Sequence, residues 1–166
     1  MNCYFRRIEL KDIESVWSLI EVLKAEKADM SLTDLTCKEQ VRSLVDNPAE
    51  LTYVAVTKEE SRVLSVVKGR RDLSEEKFHS VFLSAATHPD ARGLGFAAKL
   101  TNYALSKMKS EGVNIARIYV YSNNLASLNT VKKLGFAAAG MILRHHRDLV
   151  TGDYVNDLIF HKILDD

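Results

Sequence analysis

Residues 88 to 100 read HPDARGLGFAAKL, with two glycines one residue apart ahead of a run with helical spacing. Glycine weakens helices and strands alike, so Gly93 and Gly95 mark a tight turn or a backbone that must come close to something. Phe96, Leu100, Tyr103, Ala104 and Met108 recur at helical intervals, so the turn opens a helix. A helix N-terminus presents unbonded N–H groups and the positive end of the peptide dipoles; its natural guest is an anion, phosphate above all. A P-loop would need Gly-x-x-x-x-Gly-Lys-Ser/Thr, and Gly95 is followed by Phe-Ala-Ala. A dinucleotide turn would want a third glycine where Ala98 stands, and would lie in the first strand–helix unit rather than past the middle of the chain. A plain turn without a ligand stays open on this fragment alone.

The elements that must position this turn can be read from periodicity. YFRRIEL is a short strand, and Ile13, Val16, Trp17, Ile20 and Leu23 mark one face of a helix whose first turn Asp12 caps or charges. KAEKADMSLTD reads as a polar, mobile connection. Thr36 and Glu39 have the spacing of a capping box for a second helix with Cys37, Val41, Leu44 and Val45 inward, stopped by Asn47-Pro48. LTYVAVT and RVLSVVKGR form a strand pair about KEES, and FHSVFLSAAT is a strand central to the sheet. The helix after the glycine turn ends at Gly112. IARIYVYS places Ala116, Ile118 and Val120 on one face and Arg117, Tyr119 and Tyr121 on the other. A short helix spans 123 to 134, closed by Gly135, and FAAAGMILRHHRDL and DYVNDLIFHKIL pair around VTG. The order β, αα, βββ, α, β, α, ββ predicts an α/β fold with a mixed sheet covered by helices.

Composition excludes several classes. The 166 residues make most simply one domain, 1–166, with 46% apolar and 27% charged residues, an ordinary globular balance. A net charge of +1 offers no broad cationic face, so neither nucleic acid nor an anionic membrane is an expected partner. No apolar run of spanning length and no signal-peptide pattern occurs, and Cys3 and Cys37 read as free thiols of a cytoplasmic protein. No metal is expected: the cysteines lack ligand spacing, and the adjacent His145 and His146, in a strand, should point to opposite faces.

Taken together, Arg92-Gly93-Leu94-Gly95-Phe96-Ala97 after a strand resembles the Arg/Gln-x-x-Gly-x-Gly/Ala signature of the GNAT (Gcn5-related) N-acetyltransferase superfamily. SNNLASLNTVKKLGF resembles that family's second signature, an asparagine followed by a short helix and Leu-Gly-Phe. The element order is also similar over essentially the whole chain. The resemblance implies a mixed, mostly antiparallel central sheet of about seven strands flanked by about four helices. It implies acetyl-CoA as acyl donor, its pyrophosphate wrapped by the amides of Gly93, Leu94, Gly95, Phe96 and Ala97. Arg92 either adds charge there or is a solvated side chain. The pantetheine arm would pair with main-chain groups of Ala85, Ala86 and Thr87 where two strands splay apart. Asn124 would contact the cofactor, cap its helix, or do both. Exposed strand edges in this family often pair into homodimers.

The implied reaction is direct transfer: a neutral amine attacks the thioester, and a thiol with a pKa of about 8.5 leaves. Here the family pattern breaks. The tyrosine that often supplies the acid is replaced by Val131, and no carboxylate lies between Phe78 and Thr87. Ser127, one turn before Val131, and Tyr121, at the end of the preceding strand, are substitutes as acid; helix surface and packing are their plainer roles. His145 or His146 would border the acceptor, only one facing the cleft, as a catalytic base or an acceptor-binding group; exposed strand residues are the plainer reading. His145 joins Ser127 and Tyr121 among the catalytic candidates, and His88 is a base or part of a turn. Lys68, Arg70 and Arg71 suggest an anionic acceptor or a solvated strand end; Asp148, Asp153 and Asp157 suggest a cationic amine. The expectation is an acetyl-CoA-dependent N-acetyltransferase acting on a primary amine, of a small molecule. The alternative is a CoA-binding regulatory or interaction module with little catalysis.

Overall fold

The computed structural model describes residues 1–28 and 30–165; Asp29, part of the expected polar connection, lies outside the described residues. Seven strands form one sheet in the order β1-β2-β3-β4-β5-β7-β6. They are β1 (Cys3–Arg7), β2 (Glu50–Thr57), β3 (Val63–Arg71), β4 (Ser80–Thr87), β5 (Ile115–Tyr121), β6 (Ala137–Arg147) and β7 (Tyr154–Ile163). Every neighbouring pair is antiparallel except β4 and β5. Four α-helices flank the sheet: α1 (Ile13–Ala25), α2 (Lys38–Asp46), α3 (Phe96–Ser110) and α4 (Leu125–Lys133).

The period-two pattern of β2 shows why the sheet is sandwiched. Tyr53 and Ala55 pack toward α3 and α4 with Leu100, Ala104, Met108, Leu128 and Val131. Val54 and Val56 pack on the other face with Val16, Leu19, Ile20, Leu23, Val41 and Leu44 of α1 and α2. A strand buried on both faces cannot slip by one residue without losing a whole core, so its register is strongly specified.

Several local expectations shift. Asp12 makes no side-chain cap to α1; it is buried and accepts a two-pronged hydrogen bond from Arg6 at 2.6 and 2.8 Å, and a third from the Glu9 amide at 2.8 Å. The N-cap of α2 is Cys37, which is exposed rather than inward, and Thr36 donates through its amide and its hydroxyl to Gln40 Oε1, at 2.7 and 3.2 Å, rather than pairing with Glu39. The polar connection is partly ordered: it contains the end of α1 and a 3-10 turn over Ser31–Asp34, anchored by buried Leu32. Both cysteines are free. Among the described residues no helix is long and apolar enough to cross a membrane.

Candidate active site

The parallel pairing of β4 with β5 runs only from Ser80↔Ile115 to Leu83↔Ile118. Beyond it, β4 stays with β3 through Thr87↔Ser65, while β5 stays with β7 through Tyr121↔Asp157. Each strand follows its antiparallel neighbour, and a wedge opens between them. The resulting cleft has a volume of about 360 Å³ and is walled by Ser84 and Ala85 on one side and Tyr119 and Tyr121 on the other. Asn124 and Ser127 at the head of α4, His146 of β6, Asp157 of β7, and Met30, Ser31 and Asp34 complete its lining.

The glycine turn follows β4 directly. His88 is buried: its Nδ1 accepts from the Asp90 amide at 3.1 Å, and Arg62 approaches its Nε2 at 2.7 Å. Burial first, and the Arg62 charge second, hold its pKa below the ordinary imidazole range. His88 therefore belongs to the turn's framework. Gly93 and Gly95 have φ of 75° and 78°, a left-handed backbone that side chains disfavour. A Cβ built on Gly93 would meet nothing within 4 Å, so the space before the turn is open. Gly95 is the N-cap of α3 and brings no side chain to that helix end, leaving first-turn amides for a ligand.

Residues 16–136 match the Acetyltransferase (GNAT) family. The chain belongs to that family. No curated protein sequence matches it. Among solved structures, a GNAT-family acetyltransferase of Streptococcus pneumoniae is 18% identical, with a TM-score of 0.84 over 98% of this chain and 99% of that one. The Salmonella typhimurium protein yncA, solved with acetyl-CoA, is 16% identical with a TM-score of 0.84, covering 100% and 96%. A ribosomal-protein-alanine N-acetyltransferase from Brucella melitensis is 18% identical with a TM-score of 0.79, covering 96% and 99%. At these identities the likeness is one of fold; family membership makes the chain an N-acetyltransferase that uses acetyl-CoA. An open left-handed turn at the head of a fifteen-residue helix suits that cofactor's phosphates.

The other expected residues of the acetyltransferase divide by what they touch. Leu94 is exposed, whereas the Phe96 side chain is buried with Leu64 and Ala91, so only its backbone faces the turn. Ala97 accepts the Thr101 hydroxyl through its carbonyl at 2.7 Å. Arg92 is exposed and bonds Glu26 of the α1 C-cap at 2.7 Å. Ala85 is exposed in the cleft, but Ala86 is buried and its carbonyl accepts the Ser65 hydroxyl at 3.1 Å; Thr87 Oγ1 meets the same hydroxyl at 3.0 Å. Asn124 caps α4 by accepting from the Ser127 amide at 3.1 Å while lining the cleft. Val131 is buried in the core between sheet and helices.

Only one of the two histidines, His146, lines the cleft, as expected, but they do not point to opposite faces. The β6–β7 pairing is irregular between Ile142 and His146, and Arg144 within it has φ of 51°. That kink cancels the strand alternation, and both His145 and His146 reach Asp157, with donor atoms within 4.8 Å of one another. His145 is the more exposed; His146 lines the cleft, its ring centroid 4.3 Å from that of Tyr121.

The charged clusters also resolve. Lys68 and Arg70 pair with buried Glu50 at 3.9 and 3.5 Å. Arg71 stacks on Phe78 and donates to the Glu111 carbonyl at 2.8 Å. Arg70 and Arg71 line a separate cavity at the other end of β4, away from the splay. Asp148 is committed to its own turn, where the amides of Thr151 and Val150 hold its carboxyl below the usual range. Of the three aspartates suggested for a cationic amine, only Asp157 lines the cleft. Met30, Ser31 and Asp34 were not foreseen; the polar SLTD run carried a turn signal, but nothing in it told where the turn would pack.

Proposed function

We propose that this acetyltransferase moves the acetyl group of acetyl-CoA directly to a primary amine of a small molecule, within the wedge between β4 and β5. The observation that carries this reading is the coincidence of that wedge with the left-handed glycine turn at the head of α3. The amides from Gly93 to Ala97 take the pyrophosphate, and main-chain groups of Ala85, Ala86 and Thr87 pair with the pantetheine arm as an incoming strand would. Asn124 contributes while capping α4. Arg92 acts by tying the turn to α1 through Glu26.

The cleft volume suits a small acceptor, and Asp157 and Asp34 give its lining the negative charge a cationic amine seeks. His146 and Asp157 of the cleft wall bind that amine, and His145 holds Asp157 from outside the lining. The nitrogen attacks the thioester carbon, the N–C bond forms as the C–S bond breaks, and the amine's spare proton leaves through cleft water. Ser127 or Tyr121 protonates the departing thiolate. Neither is a strong acid, and holding the reactants together supplies much of the rate. Both residues line the cleft, which favours an active enzyme over a CoA-binding module without chemistry.

Residues 1–166 act as one catalytic domain in the cytoplasm, in keeping with two free thiols. The outer edge of β6, carrying exposed Met141 and Leu143, fits a second copy of the chain. Thiol release from acetyl-CoA across a panel of small amines tests the proposal. Turnover with at least one small amine is expected; turnover only with peptide or protein amines would contradict the acceptor class.

A further inference from the structure

The kink in β6 creates a cluster that strand geometry alone would forbid. The Arg144 amide donates to Asn156 Oδ1 at 2.8 Å, which turns the backbone so that two consecutive histidines converge on one carboxylate of β7. His145 Nδ1 lies 2.7 Å from Asp157 Oδ2, sharing a hydrogen bond. His146 Nε2 lies 2.9 Å from Asp157 Oδ1, but out of line for one. Among the described residues, those last two atoms are buried without a hydrogen-bond partner, and Asp157 is 2% exposed. A carboxylate oxygen and an imidazole nitrogen this close but without a hydrogen bond leave part of their desolvation cost uncompensated. A cation seated between them would remove that cost.

We propose that His145, His146 and Asp157 form a binding site for a divalent first-row transition-metal ion, with zinc as its probe. Two imidazole nitrogens and one carboxylate oxygen suit zinc, nickel or iron(II); calcium and magnesium prefer shells of oxygen. On binding, the ion takes the Nδ1 lone pair of His145 and Asp157 Oδ2, the neutral imidazole carries its one proton on Nε2, and no atom changes oxidation state. Three protein ligands leave a coordination position toward the cleft, since His146 and Asp157 line it. The site does not depend on the acetyl-transfer reading. If that reading also holds, the ion occupies the seat of the acceptor amine and leaves the glycine turn free.

Calorimetric titration of the metal-free full chain with zinc chloride tests the site, beside His146→Ala, His145→Ala, and a Cys3→Ser, Cys37→Ser control. One saturable site is expected, weakened about tenfold or more by either histidine change and unaffected in the cysteine control. Absence of saturable binding, or binding that survives His146→Ala, would overturn the proposal. His145 is exposed, so its variant keeps the fold, which circular dichroism verifies. Acetyl-CoA is titrated in parallel. A chain that binds acetyl-CoA but no zinc overturns the metal site alone; one that binds zinc but no acetyl-CoA overturns the transfer reading alone.

Discussion

At the scale of single residues, the site is built from side chains that do double duty and from backbone that needs none. Asn124 caps a helix and faces the cleft; Ser127 receives that cap through its amide and turns its hydroxyl-bearing side chain to the same cleft. With Val131 in the core, the acid must come from these surroundings or be dispensed with. Ser127→Ala and Tyr121→Phe should each lower turnover by about tenfold, with acetyl-CoA affinity nearly unchanged. Steady-state kinetics on both variants decides; full turnover in both would remove these residues from the mechanism. His88 makes a different prediction. Burial and Arg62 depress its pKa, so the folded state favours neutral imidazole. The stability this contributes is complete above the ordinary imidazole pKa and is lost as pH falls through the depressed one. Thermal melts should therefore drop between about pH 7 and pH 5, with a shallower slope in His88→Asn. Equal slopes would assign the pH dependence to other groups.

At the scale of elements, what was legible followed from periodicity and from punctuation by glycine and proline. The helix of α3, the strand pair of β2 and β3, the central place of β4 and the glycine turn could all be read from residue spacing, because each is a local pattern that tertiary packing reinforces; the double burial of β2 emerged only in the fold. The kink in β6 could not, because it rests on a non-glycine residue at positive φ held by Asn156 from the neighbouring strand. Strand alternation predicted opposite faces for His145 and His146, and a contact twelve residues away overruled it. The same holds for Asp12. Its position before α1 suggested a cap, but Arg6 of β1 claims its carboxylate and fixes the corner between the two elements. Asp12→Asn leaves a partly buried guanidinium with only Glu9, at 3.7 Å, as counter-charge. It should cost about 3 kcal/mol in denaturant unfolding. A loss under about 0.5 kcal/mol would mean that Arg6 finds another partner.

At the scale of the whole molecule, the cleft is a consequence of sheet topology. All seven strands stay paired as antiparallel neighbours, four on one side of the parallel seam and three on the other, and the seam is where the right-handed twist accumulates as a gap. The glycine turn sits at the end of that seam because β4 leads into it, so one break in the ladder supplies both a main-chain edge and a helix N-terminus. Which strand edges meet a second copy was not legible, since composition says nothing about shape; sedimentation at increasing concentration should reveal a dimer if the β6 edge pairs as proposed. The central claim is that this seam and turn hold acetyl-CoA. Its most direct test is calorimetric titration of acetyl-CoA into the intact chain and into Gly95→Trp, whose bulky side chain would fill the open turn and strain its left-handed backbone. Saturable one-to-one binding by the intact chain, lost in a Gly95→Trp protein that still folds, is the predicted result; no binding by the intact chain, or equal affinity in both, would contradict it.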